Sequence, residues 1–161
     1  MSSGDDDYGN TSRDPFAKWD DRFLSVAAIV ASWSKDPSTK AGCVLVRPDK
    51  SIASLGYNGF PMGCSDSTEK YEDRETKYAR VIHAEMNALM FCRDPIPLVG
   101  FTLYTTAPSC PRCAAHMIQA GIRRFVWWDV DNETYKRWDL DRTYRILGEV
   151  GAAWNVKEPR P

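Results

Sequence analysis

From Pro15 onward, apolar residues return at helical and then at strand spacing. Phe16, Trp19, Phe23, Val26, Ala27, Val30 and Trp33 recur every three or four positions, which predicts an amphipathic helix. Asp36-Pro37-Ser38-Thr39 is expected to end it, because proline disfavours helical backbone in the residue before it. Two apolar runs, 42–47 and 51–56, flank the turn signal Pro48-Asp49-Lys50 and predict a hairpin. Tyr57 to Lys77 is polar and rich in Gly, Pro and Asp, and reads as a long loop of functional or mobile character. A second helix is predicted from His83 through Cys92, where Met86, Leu89 and Met90 are apolar, with a stop at Arg93-Asp94-Pro95. Residues 101–105 read as a buried strand, 110–120 as a third helix ended by Gly121, and 124–128 as a further strand. A polar aromatic stretch leads to a helix over 142–150 and a last strand at 154–156. Strands that alternate with helices after an opening hairpin predict an α/β domain: three layers, α/β/α, around a mixed five-stranded sheet.

Composition narrows the class. Residues 1–14 are acidic and nearly free of aliphatics, which predicts a disordered arm ahead of one domain over 15–161. A length of 161 residues with 43% hydrophobic content suits a single core. Lys plus Arg number 21 against 22 Asp plus Glu, a net charge of −1, so the broad basic surface of a nucleic-acid binder is not expected. No run approaches the roughly 18 apolar residues of a membrane span, and no charged-then-apolar leader opens the chain. Five cysteines at uneven spacing make a poor disulfide framework. The expectation is a cytoplasmic protein with no membrane or nucleic-acid partner.

Two motifs carry chemistry. Cys110 and Cys113 form a C-x-x-C pair at i and i+3 in the first turn of the third helix, so both sulfurs point to one side. The helix N-terminus favours their thiolates, and Pro111 is tolerated because the first helical amide has no partner. His83-Ala84-Glu85 opens the second helix. One His and two Cys leave a fourth position for water, the pattern of a catalytic zinc. Glu85 can stand beside such a site without ligating and act on protons. Singly, His83 reads as a cap residue and Glu85 as a solvated acid; together with the cysteines they read as one centre. His116 could close a C-x-x-C-x-x-H cluster, but its position a turn away from Cys110 favours a surface histidine. Cys43, Cys64 and Cys92 read as small core or loop residues.

H-A-E followed by C-x-x-C resembles the zinc-dependent cytidine deaminase superfamily. Lys18-Trp19-Asp20, the run Ser34 to Lys40 with Gly42, the run Gly56 to Cys64, His83 to Ala88, and Gln119-Ala120-Gly121-Ile122 look more specifically like the deoxycytidylate (dCMP) deaminase family. The resemblance covers about residues 16 to 150. In one departure, Ser109 stands where the family has proline before the first zinc cysteine, and its hydroxyl is expected to cap the helix instead.

The resemblance implies a cytidine-deaminase-like fold and hydrolytic deamination of dCMP to dUMP and ammonia, feeding thymidylate synthesis. It implies zinc on His83, Cys110 and Cys113, with Glu85 as catalytic proton carrier. It suggests Asn58 for the sugar 3′-hydroxyl and the Ala84 amide for the pyrimidine O2. Trp127 reads equally as a wall for the base or as a core aromatic. Ser38, Thr39 and Lys40 offer donors for the 5′-phosphate, although a lone lysine is as readily a solvated charge. Many relatives of this kind are homohexamers activated by dCTP and inhibited by dTTP, which marks Gly56, Tyr57, Asn58 and Gly59 as allosteric candidates, with Mg2+ accompanying the triphosphate. Two alternatives stay open. One is another superfamily deaminase acting on a nucleoside or on a base in nucleic acid; the other is a binding protein whose zinc is structural.

Overall fold

Alternation along the strands places half of each strand's side chains on either side of a five-stranded sheet. The computed structural model describes residues 16–159; the predicted arm over 1–14 lies outside them. The hairpin strands β1 (Gly42–Val46) and β2 (Ile52–Tyr57) pair antiparallel. β3 (Thr102–Thr105) lies antiparallel on the other side of β1, followed by β4 (Arg124–Trp128) and β5 (Ala153–Lys157) in parallel. The sheet order is β2-β1-β3-β4-β5, which bears out the mixed α/β/α reading.

Helix α1 (Ala17–Ala31) covers one face. Its Phe23, Leu24 and Ala27 pack with Val44, Val46, Tyr104 and Val126. On the other face lie α4 (Ala84–Phe91), α5 (Pro111–Gln119) and α7 (Leu140–Glu149), whose Ala88, Met117 and Leu147 meet Cys43, Leu45, Leu103, Phe125 and Trp127. Odd and even strand positions thus feed two cores. α1 stops at Ala31, five residues before the expected breaker at Asp36, and Phe16 and Trp33 at the ends of its apolar stripe are exposed. The core holds only the middle of that stripe.

Two glycines let the helices approach the hairpin. A Cβ on Gly42 would stand 2.0 Å from the Ala27 carbonyl oxygen of α1, and one on Gly56 would stand 2.2 Å from the Ala84 carbonyl oxygen of α4. The stretch expected as a loop, 57–77, contains α2 (Thr68–Glu72) and most of α3 (Arg74–Arg80). α3 buries none of its side chains and α2 only Tyr71, so there was no apolar stripe to betray them. Phe60 stacks on Tyr71 at 4.1 Å, and Gly59 exchanges backbone hydrogen bonds with Ile82, which folds the segment back beside His83. α6 (Asn132–Arg137) accounts for the polar aromatic stretch after β4. No helix among the described residues is long and apolar enough to cross a membrane.

Candidate metal centre and active site

The amino ends of α4 and α5 meet on the same face of the sheet. His83 is the N-cap of α4 and Cys110 the N-cap of α5, both with extended backbone, and Pro111 takes the first helical position. Cys113 lies in the first turn of α5 and is buried. His83 Nδ1 stands 3.6 Å from Cys110 Sγ and 3.4 Å from Cys113 Sγ. All three donor atoms lie within 4.8 Å of one another.

These spacings suit zinc. With Zn–N and Zn–S bonds of ordinary length at a tetrahedral angle, nitrogen and sulfur should stand about 3.6 Å apart. The protons are distributed to match. A hydrogen bond from Cys113, helped by His83, pulls the Cys110 thiol down to about 4, despite opposition from burial. The same hydrogen bond and burial push Cys113 up, and a dication bound there would displace the proton that the two thiols share. His83 is held above its usual value, chiefly by Cys110, with burial opposing and the Glu85 charge assisting.

Glu85, in the first turn of α4, is almost fully buried. Burial raises its pKa, while the nearby Ser109 hydroxyl, its own backbone amide and His83 pull the other way. Ser109 does not cap α5: the helix starts at Pro111, which makes Cys110 the cap residue and leaves Ser109 one place too early. Its Oγ is fully buried and has no hydrogen-bond partner, while its carbonyl accepts from Thr143 Oγ1 at 2.8 Å. An orphaned buried hydroxyl beside a buried carboxylate and three convergent donors is what a site built around a polar ligand leaves behind.

A pocket of about 270 Å3 opens over this centre, lined by Val81, Ile82, Met86, Met90, Arg112 and His116 as well as the three donors. Met86 and Met90 sit one turn apart on α4 and both line the pocket, Met86 also packing against the core while Met90 is exposed. Sequence periodicity could not separate the two roles, because α4 is apolar nearly all round. His116 is on the surface of α5, away from the donor cluster, with its Nδ1–H given to the Arg112 carbonyl at 2.6 Å. Cys43 is buried, Cys64 exposed and Cys92 half-buried, and none joins the donors.

Several other expected site residues are engaged elsewhere. Trp127 is wholly buried, and its indole N–H donates to Tyr144 Oη at 3.2 Å; it is a core aromatic and cannot wall a ligand. The Ser38 and Thr39 amides and the Ser38 hydroxyl all donate to Asp36 Oδ1, at 2.9, 3.1 and 3.0 Å. Lys40 Nζ donates to the Ser34 carbonyl. Ser38 and Thr39 therefore already serve a buried carboxylate, and Lys40 a backbone carbonyl. Asn58 is buried and pins the same loop, accepting from the Ala41 amide and donating to the Thr39 carbonyl, both at 2.8 Å. Gly56 is closed to ligands by α4, whereas Tyr57 is exposed and packs edge-on against Trp33, and a Cβ on Gly59 would meet the Tyr71 hydroxyl at 3.7 Å. Ala84, the first residue of α4, contributes one of the opening amides that have no acceptor within the helix.

Fold and site together define a deaminase-type hydrolase domain with a His-Cys-Cys metal centre. Residues 17–128 match the family described as the cytidine and deoxycytidylate deaminase zinc-binding region, and the chain belongs to that family. The deoxycytidylate deaminase of Homo sapiens is 37% identical over 120 residues, covering 71% of this chain and 67% of the human protein. A probable deoxycytidylate deaminase of Drosophila melanogaster is 32% identical over 161 residues, with 92% and 76% covered. The crystal structure of dCMP deaminase from the cyanophage S-TIM5 superposes with a TM-score of 0.67 over 88% of this chain and 98% of that one, at 22% identity. That phage enzyme has also been solved in complex with dCMP and dUMP. At such identity the structural likeness speaks for the fold.

Proposed function

We propose that this deaminase hydrolyses dCMP to dUMP and ammonia with one catalytic zinc per chain. The observation that carries the reading is the convergence of His83 Nδ1, Cys110 Sγ and Cys113 Sγ beside the buried, non-ligating Glu85. Its relatives in human and fly support the choice of substrate. Zinc held by His83, Cys110 and Cys113 supplies Lewis acidity that draws the pKa of a water molecule toward neutrality.

The chain's own groups do the rest. The Glu85 carboxylate takes a proton from the water that attacks C4 and delivers it to N3 of the ring. It then carries the second proton to the departing amine. The family resemblance suggests that the Ala84 amide, at the start of α4, donates to the pyrimidine O2. Met86 and Met90 offer the ring an apolar wall that limits bulk water. Asn58, for which the resemblance suggests a contact with the sugar 3′-hydroxyl, acts at least through the 36–41 loop that it holds in place.

Activation by dCTP with Mg2+, inhibition by dTTP and a homohexameric assembly belong to this reading through the family resemblance. Rate titrations with each triphosphate, together with gel filtration, check them. The substrate is tested by ammonia release from dCMP, CMP, deoxycytidine and single-stranded DNA, with zinc quantified in the same preparation. The expected order puts dCMP first by kcat/KM; a preference for deoxycytidine or DNA would refute the assignment.

A further inference from the structure

Helix α7 turns one narrow face inward, carrying Leu140, Thr143 and Leu147. It packs on α5, the helix opened by the two cysteines, and Leu147 joins the core there. Valine has threonine's branched shape and would serve the packing at position 143. Thr143 has no exposed surface, so a hydroxyl at that place is costly unless it is bonded. Inside a helix such a hydroxyl commonly returns to the carbonyl one turn back. Thr143 Oγ1 instead donates to the Ser109 carbonyl, 2.8 Å away and 34 residues earlier in the chain.

The acceptor explains the choice. Ser109 is fully buried and precedes Cys110, the cap residue of α5, so its carbonyl lies outside the helical ladder. Among the described residues no backbone N–H donates to it. The Ser109 carbonyl oxygen and the Cys110 Cα share one rigid peptide plane. A bond that pins the oxygen therefore pins the backbone from which the Cys110 thiol projects toward His83 Nδ1, 3.6 Å away. Cys113 lies inside the first turn of α5, whereas Cys110 sits at the boundary, with its carbonyl tied to the Ala114 amide on the helix side. The Thr143 hydroxyl ties the other side. The family match ends at residue 128, and α7 lies beyond it.

We propose that Thr143 is a positioning residue for the metal centre, its hydroxyl holding the Ser109–Cys110 peptide so that the Cys110 thiol stays beside His83 and Cys113. This rests on the reading of those three residues as a zinc site. Thr143 meets neither metal nor substrate and acts through the backbone of Cys110.

The test compares the full-length wild type with Thr143→Val, which keeps the shape and loses the bond, and Thr143→Ser, which loses a methyl group and keeps the bond. Leu147→Val is the packing control on the same face of α7. Zinc affinity is read by competition with a chromophoric chelator. Ligand geometry is read from the visible absorption of the cobalt(II)-loaded protein, whose bands report a tetrahedral sulfur–nitrogen site. Thr143→Val should bind zinc about 10- to 100-fold more weakly, the range for losing an outer partner of a metal ligand, with shifted or weakened cobalt bands. Thr143→Ser should keep the wild-type affinity and spectrum, and Leu147→Val should lower the melting temperature without moving either. If Thr143→Val gives no folded protein, Thr143→Ala against Thr143→Ser makes the same comparison. Wild-type zinc affinity and an unmoved spectrum in the variant lacking the hydroxyl, or an equal loss in Thr143→Ser and Leu147→Val, overturns the role of Thr143. A wild type that binds no zinc overturns the reading of the centre itself.

Discussion

Glu85 and Ser109 lie buried side by side behind the His-Cys-Cys cluster, one a carboxyl and the other a hydroxyl. Replacing Glu85 by Gln keeps the shape and removes the proton carrier. Turnover should fall by about 100- to 10,000-fold, with zinc still bound at one per chain; turnover near the wild-type level would refute the role. The Ser109 hydroxyl, buried beside Glu85, holds the carboxyl pKa down against burial, so Ser109→Ala should move the acid limb of the pH–rate profile to higher pH; an unmoved limb would show that the hydroxyl does not act on Glu85. At this scale the convergence of His83, Cys110 and Cys113 near Glu85 was legible in the sequence, since H-x-E and C-x-x-C each open a helix after a strand or loop. Trp127 and the donors at 38–40 were misleading for one physical reason. Residue type tells what a group can donate, and only the tertiary neighbourhood tells where Asp36 or Tyr144 has already taken the bond.

Helix α4 carries both His83 and Glu85, so its seat on the hairpin sets the site. That seat is Gly56. Gly56→Ala pushes a methyl group into the Ala84 carbonyl oxygen and the Ala88 amide, 2.2 and 2.4 Å away, and backbone atoms yield poorly. The expected cost is about 1–3 kcal/mol, the usual range for overpacking, read as a lower denaturation midpoint together with weaker zinc retention as α4 shifts. Gly59→Ala meets nothing closer than the Tyr71 hydroxyl at 3.7 Å and should be close to neutral. Equal effects at the two sites would contradict this account of the Gly-Tyr-Asn-Gly segment. β1, β3 and β4 could be read from their apolar runs because each is buried almost throughout, and α1 because the middle of its stripe packs on the sheet. α2 and α3 could not, since they are short, charged and held by a stack and a bridge that form only after folding.

Across the whole molecule, one buried ion pair ties the loop before β1 to α3. Asp36 has no exposed side-chain surface and lies 2.7 Å from Lys77 Nζ. Burial alone would raise its pKa, but Lys77 and the Ser38 and Thr39 amides outweigh burial and hold it below the ordinary value. A depressed carboxylate contributes stability in full above its unfolded pKa, and that contribution is lost as pH falls through the lower folded value. The acid limb of a stability–pH curve should therefore flatten in Asp36→Asn relative to wild type. Lys77→Met leaves the carboxylate buried without its cation and should cost about 3–5 kcal/mol at neutral pH, seen in chemical denaturation. A loss under 1 kcal/mol, roughly the range of a surface pair, would contradict its burial. The near-zero net charge also fits at this scale. A single nucleotide needs a few placed donors and no broad basic surface. The central claim is that His83, Cys110, Cys113 and Glu85 direct water onto the ring of dCMP. Its most direct test is mass spectrometry of the product formed by the zinc-loaded enzyme in heavy-oxygen water. The expected product is dUMP carrying one heavy oxygen on the ring, with one ammonia released per dUMP; unlabelled dUMP, or no dUMP from a preparation with stoichiometric zinc, would contradict the account.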